Sequence, residues 1–183
     1  MQENHQREQY FYTPPTRARL AGFLQAYSSV CLLCAPTLGQ EIEAAGRDVT
    51  VLDLDERFSA LKGFRRWDLY RPQALGARFD LIFCDPPFYK VSLAQLFAAI
   101  RVLARGSFDQ PLLMSHLIAR AQDVTATFAP FDLARTGYSP DYVTVDQSGG
   151  RTIEVYGNLG AEAHLALQTG VDDPPSRPGG ASA

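Results

Sequence analysis

Apolar and polar residues alternate in blocks along this chain, and the period of the alternation changes from block to block. After a polar start, Tyr10-Phe11-Tyr12 leads into Pro14-Pro15-Thr16, and Leu20, Phe23, Leu24 and Tyr27 follow at i, i+3, i+4 and i+7. That spacing predicts a helix opened by the prolines. Residues 30–35 form an unbroken apolar run of strand length, followed by a turn, Pro36-Thr37-Leu38-Gly39, and a short helix from Gln40 to Gly46. A second strand over 49–54 ends in acids, Asp53 and then Asp55, and Asp55 is placed to cap a helical turn over 56–62. Strands are expected again over 64–68 and 79–85. Ser92 opens a helix whose Leu93, Leu96, Phe97, Ile100 and Leu103 make one apolar stripe, closed at Gly106. A fifth strand over 111–115 and a weaker helix over 118–127 complete the alternation. Beyond Pro130 the pattern turns to strands, near 131–137, 141–146 and 151–157, with Ser148-Gly149-Gly150 as a hairpin turn between the last two.

Strands that alternate with helices imply an α/β protein with a mostly parallel, doubly wound sheet, helices on both faces and an antiparallel C-terminal hairpin. At 183 residues the chain is expected to be one domain over 1–160. Residues 1–12 read as a loose arm, and 161–183, rich in Gly, Pro, Ser and Ala, as a disordered tail. In such sheets ligands bind outside the carboxyl ends of the strands. Pro36–Gly39, Asp53, Asp68 and Asp85–Phe88 all fall at such ends.

Composition removes several alternatives. Net charge is −3, so there is no broad basic footprint for nucleic acid. The run containing Arg57, Lys62, Arg65, Arg66 and Arg71 reads equally as a local patch or as solvated surface. No apolar stretch approaches the ~20 residues of a membrane span, and the polar N-terminus is no signal peptide; a cytosolic protein is expected. Cys31, Cys34 and Cys84 make no disulfide framework. Cys31-Leu32-Leu33-Cys34 lies in a strand, where residues three apart face opposite ways, and the histidines are scattered, so no metal is expected.

The candidate chemistry centres on Asp85-Pro86-Pro87-Phe88, which ends the strand over 79–85 abruptly. Proline has no N–H for the ladder, and the second proline biases the first toward an extended conformation. Such a stiff turn aims the Asp85 carboxylate, the Pro86 carbonyl and the Phe88 ring at one point. Two acceptors beside an aromatic face suit an amino group with two hydrogens to donate. The same string also serves as an ordinary strand-ending turn. Asp53 could accept from both ribose hydroxyls of a nucleotide-like cofactor or simply cap the following turn. Asp68 could accept from an adenine amino group or merely start a loop, with Trp67 or Leu69 flanking the ring. The turn after the first strand carries only Gly39, which argues against a dinucleotide dehydrogenase.

In order along the chain, Tyr10-Phe11-Tyr12, Ala35-Pro36-Thr37, Val51-Leu52-Asp53-Leu54-Asp55-Glu56-Arg57-Phe58, Trp67-Asp68 and Asp85-Pro86-Pro87-Phe88 resemble the probable N6-adenine methyltransferase family. That family includes elongation-factor lysine methyltransferases and the zinc-knuckle ribosomal-RNA adenine methyltransferase. The resemblance spans roughly residues 9–158. It implies a Rossmann-like class I fold using S-adenosylmethionine (SAM), with sheet order 3-2-1-4-5-7-6. It places SAM against Tyr10, Phe11, Ala35, Pro36, Thr37, Asp53, Leu54 and Asp68, with the N-terminal aromatics closing over it. Asp85, Pro86, Pro87 and Phe88 become the catalytic motif, and Phe88 and Tyr89 the acceptor contacts. No counterpart of the family's zinc modules or of a target-recognition domain is present. Two acceptors stay open: adenine N6 in nucleic acid, RNA favoured over DNA, or a protein lysine on a translation factor. A SAM-binding module without activity is the remaining alternative.

Overall fold

The computed structural model describes residues 2–148 and 152–170. The elements are α1 (Pro14–Leu24), β1 (Val30–Leu33), α2 (Pro36–Ala44), β2 (Thr50–Asp53), β3 (Phe64–Arg66), β4 (Leu81–Cys84), α3 (Leu93–Leu103), β5 (Leu112–Leu117), α4 (Ala121–Thr127), β6 (Ala134–Arg135), β7 (Ile153–Gly157) and α5 (Ala161–Thr169). The strands form one sheet in the order β3-β2-β1-β4-β5-β7-β6. β1 to β5 pair in parallel, and β7 runs antiparallel between β5 and β6. The expected class and strand order both hold.

Strand alternation explains why the sheet has a helical layer on each face. Leu32, Val51, Phe83 and Leu113 point to one side and pack with α1, α2 and α5 residues such as Leu20, Leu24, Leu38 and Leu167. Leu33, Leu52, Ile82 and Met114 point to the other, against Leu96, Ile100 and Val124 of α3 and α4. Both faces are dry, which is why these strands read as continuous apolar runs rather than as alternating ones.

Four expectations change. Pro36–Gly39 is not a turn but the first part of α2. Proline suits that place, because the first helical N–H has no partner to lose. Gly39 is needed for packing: a Cβ there would come within 2.5 Å of the Val51 side chain, so the glycine lets α2 lie close on β2. The strand expected over 141–146 does not form; Tyr142 makes only a single bridge, with Tyr12. The antiparallel hairpin is therefore β6–β7, while Gly149 and Gly150 of the expected turn lie outside the described residues. The expected disorder after Gly160 is also corrected, since α5 packs Ala163 and Leu167 into the core. Averaging composition over the whole tail hid an Ala- and Leu-rich stretch of good helix formers before the Pro- and Gly-rich segment. Residues 171–183 lie outside the described residues.

The last change concerns the arm. Among the described residues, 2–12 do not hang free. Glu3 accepts from Phe11 N–H (2.7 Å) and from the Thr144 hydroxyl. A short 3-10 turn, His5–Arg7, is closed by an Asn4–Gln9 bridge, which sets the following residues across the carboxyl edge of the sheet.

Candidate active site

The ladder register places three sequence-distant residues in one row. Leu33 is level with both Leu52 and Cys84, so the next residues, Cys34, Asp53 and Asp85, stand side by side at the carboxyl end. Backbone bonds continue the ladder there: Cys34 N–H donates to Leu52 O (2.9 Å), Asp85 N–H to Leu33 O (3.0 Å) and Trp67 N–H to Asp53 O (3.0 Å). Cys34 has φ of 59°, in the left-handed region, and there the chain swings from β1 into α2. Above this row lies a cavity of about 400 Å³, within the usual range for a small-molecule site.

Asp53, Leu54 and Asp68 line that cavity, as do Asp85, Pro86, Pro87, Phe88 and, from the arm, Tyr10. Ala35, Pro36, Thr37, Phe11 and Tyr89 are not part of its lining; Cys34 takes the place expected for the 35–37 segment. Phe11 sits behind the wall, edge-on to Phe58 at 6.2 Å. Tyr89 is turned outward, 70% exposed.

The two acids in the row differ from their neighbours. Asp53 is 9% exposed, and burial pushes its carboxyl up to about 6, helped by the charge of Asp55 and opposed by backbone N–H donors. One of those donors is Asp55 N–H, 2.8 Å from Asp53 Oδ1. Burial also disfavours charge on Asp55, but Arg57 outweighs it and holds the carboxyl below its usual range. Arg57 reaches Asp55 through Nε (2.9 Å) and Nη2 (2.6 Å), and Asp55 caps the short 3-10 turn Glu56–Phe58. Asp55 thus has the capping role and Asp53 faces the cavity. Asp68 lies at the cavity wall, and its Oδ1 accepts from Tyr70 N–H (2.9 Å) as a loop-starting Asp does. Trp67 and Leu69 beside it are buried apolar walls.

Asp85 is the best-supported acceptor. Tyr142 donates its hydroxyl to Asp85 Oδ1 at 2.7 Å. Burial pushes the carboxyl up to about 7, against hydrogen bonds from Tyr142, Tyr12 and Ser115. Phe88 is buried and meets the edge of His116 at 5.4 Å. Burial and the nearby Arg120 charge lower His116 to about 4, so it is a neutral prop at physiological pH.

Sequence reasoning missed Tyr142, Cys34 and Glu8. The Glu8 carboxylate accepts from the amides of Tyr89 (3.0 Å) and Lys90 (3.1 Å), which pins the arm to the segment that follows Asp85–Phe88. Arg57 Nη2 donates to Gln9 Oε1 (2.7 Å) and fastens the other side. No local pattern marks these residues; the Tyr12–Tyr142 bridge that brings the 141–143 segment over Asp85 is a long-range contact.

The sequence profile of the probable N6-adenine methyltransferase family matches residues 3–158. The chain belongs to that family. Solved structures support the fold. Magnesium protoporphyrin IX methyltransferase from Synechocystis PCC 6803, with bound SAM, is 17% identical over 78% of this chain and 78% of that one, TM-score 0.53. A TehB-like SAM-dependent methyltransferase from Corynebacterium glutamicum is 16% identical over 76% and 86%, TM-score 0.52. The N-methyltransferase NodS from Bradyrhizobium japonicum WM9, in complex with S-adenosyl-L-homocysteine, is 15% identical over 79% and 85%, TM-score 0.51. No curated protein matches the sequence. Family and fold together make the chain a SAM-dependent N-methyltransferase. Among the described residues no helix is long and apolar enough to cross a membrane, and no group of His, Cys, Asp and Glu could hold a metal ion.

Proposed function

We propose that the chain methylates the N6 amino group of adenine in nucleic acid, with RNA favoured over DNA. The observation that carries this is the Asp85-Pro86-Pro87-Phe88 turn, whose carboxylate and buried ring face the same cavity as Asp53. The residues fit SAM: Asp53 is the acid at the end of β2 for the ribose, and Trp67 and Leu69 are apolar walls for the adenine ring. When bound, SAM supplies an electrophilic methyl, so that the amine's lone pair forms the N–C bond, the C–S pair returns to sulfur, and the nitrogen is left with a proton to shed.

Asp85 and the Pro86 carbonyl accept from the amino hydrogens, which draws the nitrogen lone pair out of the ring. Catalysis is then positioning plus electrostatics. Phe88 gives a flat base an apolar surface to stack on. At the cavity mouth Tyr70 is exposed beside Lys90, with Tyr89 exposed next to it in the chain, and the Tyr70 hydroxyl donates to the Lys90 carbonyl. Exposed rings next to a cation suit the neighbouring nucleotides of a single strand or loop, which needs no base flipping. Adenine also has no ammonium proton to lose before it reacts, whereas a lysine, with a pKa of about 10.4, does.

A protein lysine on a translation factor is the second reading. The cavity lining favours it in one respect: Glu8, Asp53, Asp55, Asp68 and Asp85 oppose only Arg7 and Lys90, a balance suited to a cationic guest. Tritiated methyl transfer from SAM into a methyl-poor cell lysate separates the two. Label removed by ribonuclease supports the adenine reading. Label removed only by protease transfers the acceptor to lysine, and SAM binding without any transfer refutes both.

A further inference from the structure

Tyr142 reaches the catalytic turn from 57 residues away in sequence and belongs to no strand or helix. Its segment is strapped to the arm: Val143 N–H donates to Phe11 O (2.9 Å), Thr13 N–H donates to Asp141 O (2.9 Å), and Tyr12 and Tyr142 bridge. The two phenol rings lie 4.7 Å apart at 37°. The Tyr12 hydroxyl lies 3.1 Å from Ser115 Oγ on β5. Hydroxyls from three separate parts of the chain therefore gather around one carboxylate.

The choice of donor is informative. An arginine or lysine at this place would hold Asp85 ionised and make it a very weak base. A neutral hydroxyl fixes the carboxylate's orientation while leaving its basicity largely intact. A carboxylate has two oxygens with about four acceptor sites in all, and Tyr142 occupies Oδ1 only. Tyr142 itself lines the cavity, so its donor and the space for the guest meet at the same carboxyl.

Resting on the methyl-transfer reading above, we propose that Tyr142 is the positioning residue of the site: its hydroxyl holds Asp85 Oδ1 so that Oδ2 faces the acceptor amine and takes its proton. The proton leaves the acceptor nitrogen and ends on Oδ2, turning Asp85 into a neutral acid. Tyr142 keeps its own proton throughout, because burial and the Asp85 charge push its phenol upward. The groups facing Asp85 are Tyr142, which donates to it, and the Tyr12 and Ser115 hydroxyls, which pair with each other, with the Cys34 and Cys84 thiols beside it. Burial pushes both thiols up, so neither competes for the proton at neutral pH.

The test uses the full chain and two readouts. The first is a carbon-13 titration of the Asp85 carboxyl, without ligand, in wild type and Tyr142→Phe. Losing a donor to the charged form should move the midpoint upward from about 7. A fluorinated tyrosine at position 142, a stronger donor of the same shape, should move it downward. The second readout is turnover with tritiated SAM and total cellular RNA as acceptor. Tyr142→Phe should lower kcat about tenfold to a hundredfold, the usual worth of one hydrogen bond to a charged group, with KM for SAM unchanged. A midpoint that stays put in both variants, or a kcat within about twofold of wild type, would overturn the proposal; that factor is only about 0.4 kcal/mol. A midpoint that moves in the variants while wild type transfers no methyl to RNA would retire the adenine reading while upholding the Tyr142–Asp85 pairing.

Discussion

Replacing Asp85 with Asn should inactivate the protein at every pH and make it more stable only above a certain pH. Burial pushes the Asp85 carboxyl from its ordinary 3.8 up to about 7, although Tyr142, Tyr12 and Ser115 pull the other way. A carboxyl that holds its proton more tightly folded than unfolded costs stability as pH rises. Its contribution is intact below the unfolded value, is lost progressively from 3.8 toward about 7, and stays lost above that. Each tenfold in proton affinity is about 1.4 kcal/mol, so the full difference sets a ceiling of about 4 kcal/mol. Asp85 is partly exposed, so solvent screening reduces this, and the new amide must find partners of its own; about 2 kcal/mol remains. For a domain of this size that is about 4–8 °C in Tm.

Calorimetry of wild type and Asp85→Asn near pH 8 and near pH 4 reads the effect directly. The variant should melt higher near pH 8 and level with wild type near pH 4, because the Asn amide oxygen can still accept from Tyr142 at both. Methyl transfer should be abolished at either pH. A variant that melts no higher than wild type near pH 8, or that shows the same gap at both pH values, would refute the burial argument for Asp85.

Other sites give independent checks. Asp53→Ala should weaken SAM binding by about tenfold or more, the worth of charged hydrogen bonds to two hydroxyls, while Asp85→Ala stays within a few fold; calorimetric titration reporting equal losses would move the ribose contact away from Asp53. Glu8→Ala should speed hydrogen exchange at the Tyr89 and Lys90 amides, which its carboxylate now occupies. Unchanged exchange there would mean that the arm is held by Glu3 and Gln9 alone. Leu167→Ala should destabilise the fold by about 2–5 kcal/mol in denaturant, as for any fully buried leucine. A loss under about 0.5 kcal/mol, the size of an ordinary surface change, would detach α5 from the core.

What was legible in the sequence followed from local chemistry. Leu93, Leu96, Ile100 and Leu103 are buried on α3 as their spacing demands, and Ser92 caps it through a bond from Gln95 N–H (3.2 Å). The acids at the carboxyl ends of β2 and β4 could be read from their place, since ligands bind at such ends in a doubly wound sheet. What could not be read depended on three-dimensional partners. Residues 141–146 have strand-like composition, yet no neighbouring strand is available there, and Tyr12 provides only a single bridge. Thr37 and Pro36 looked like a ligand loop, but α2 begins at Pro36, four residues before the expected Gln40. Cys34 was invisible because a left-handed conformation at a residue other than glycine has no local signature.

The row of Cys34, Asp53 and Asp85 sits at a place where buried carboxyls cost the fold stability. Parallel pairing fixes the register of β1, β2 and β4 through dry, apolar side chains on both faces, and a slip of one residue would invert every one of them. That rigidity lets the sheet hold two carboxyls on either side of Cys34, each raised toward neutrality, with no arginine or lysine bonded to either among the described residues. A stability-optimised chain would place an arginine between them, as Arg57 already does for Asp55 only two residues from Asp53. On the proposed reading, sparing Asp53 and Asp85 that partner leaves one acid to accept from a neutral sugar and the other to receive a proton near pH 7. Both abilities would disappear with the strain that produces them.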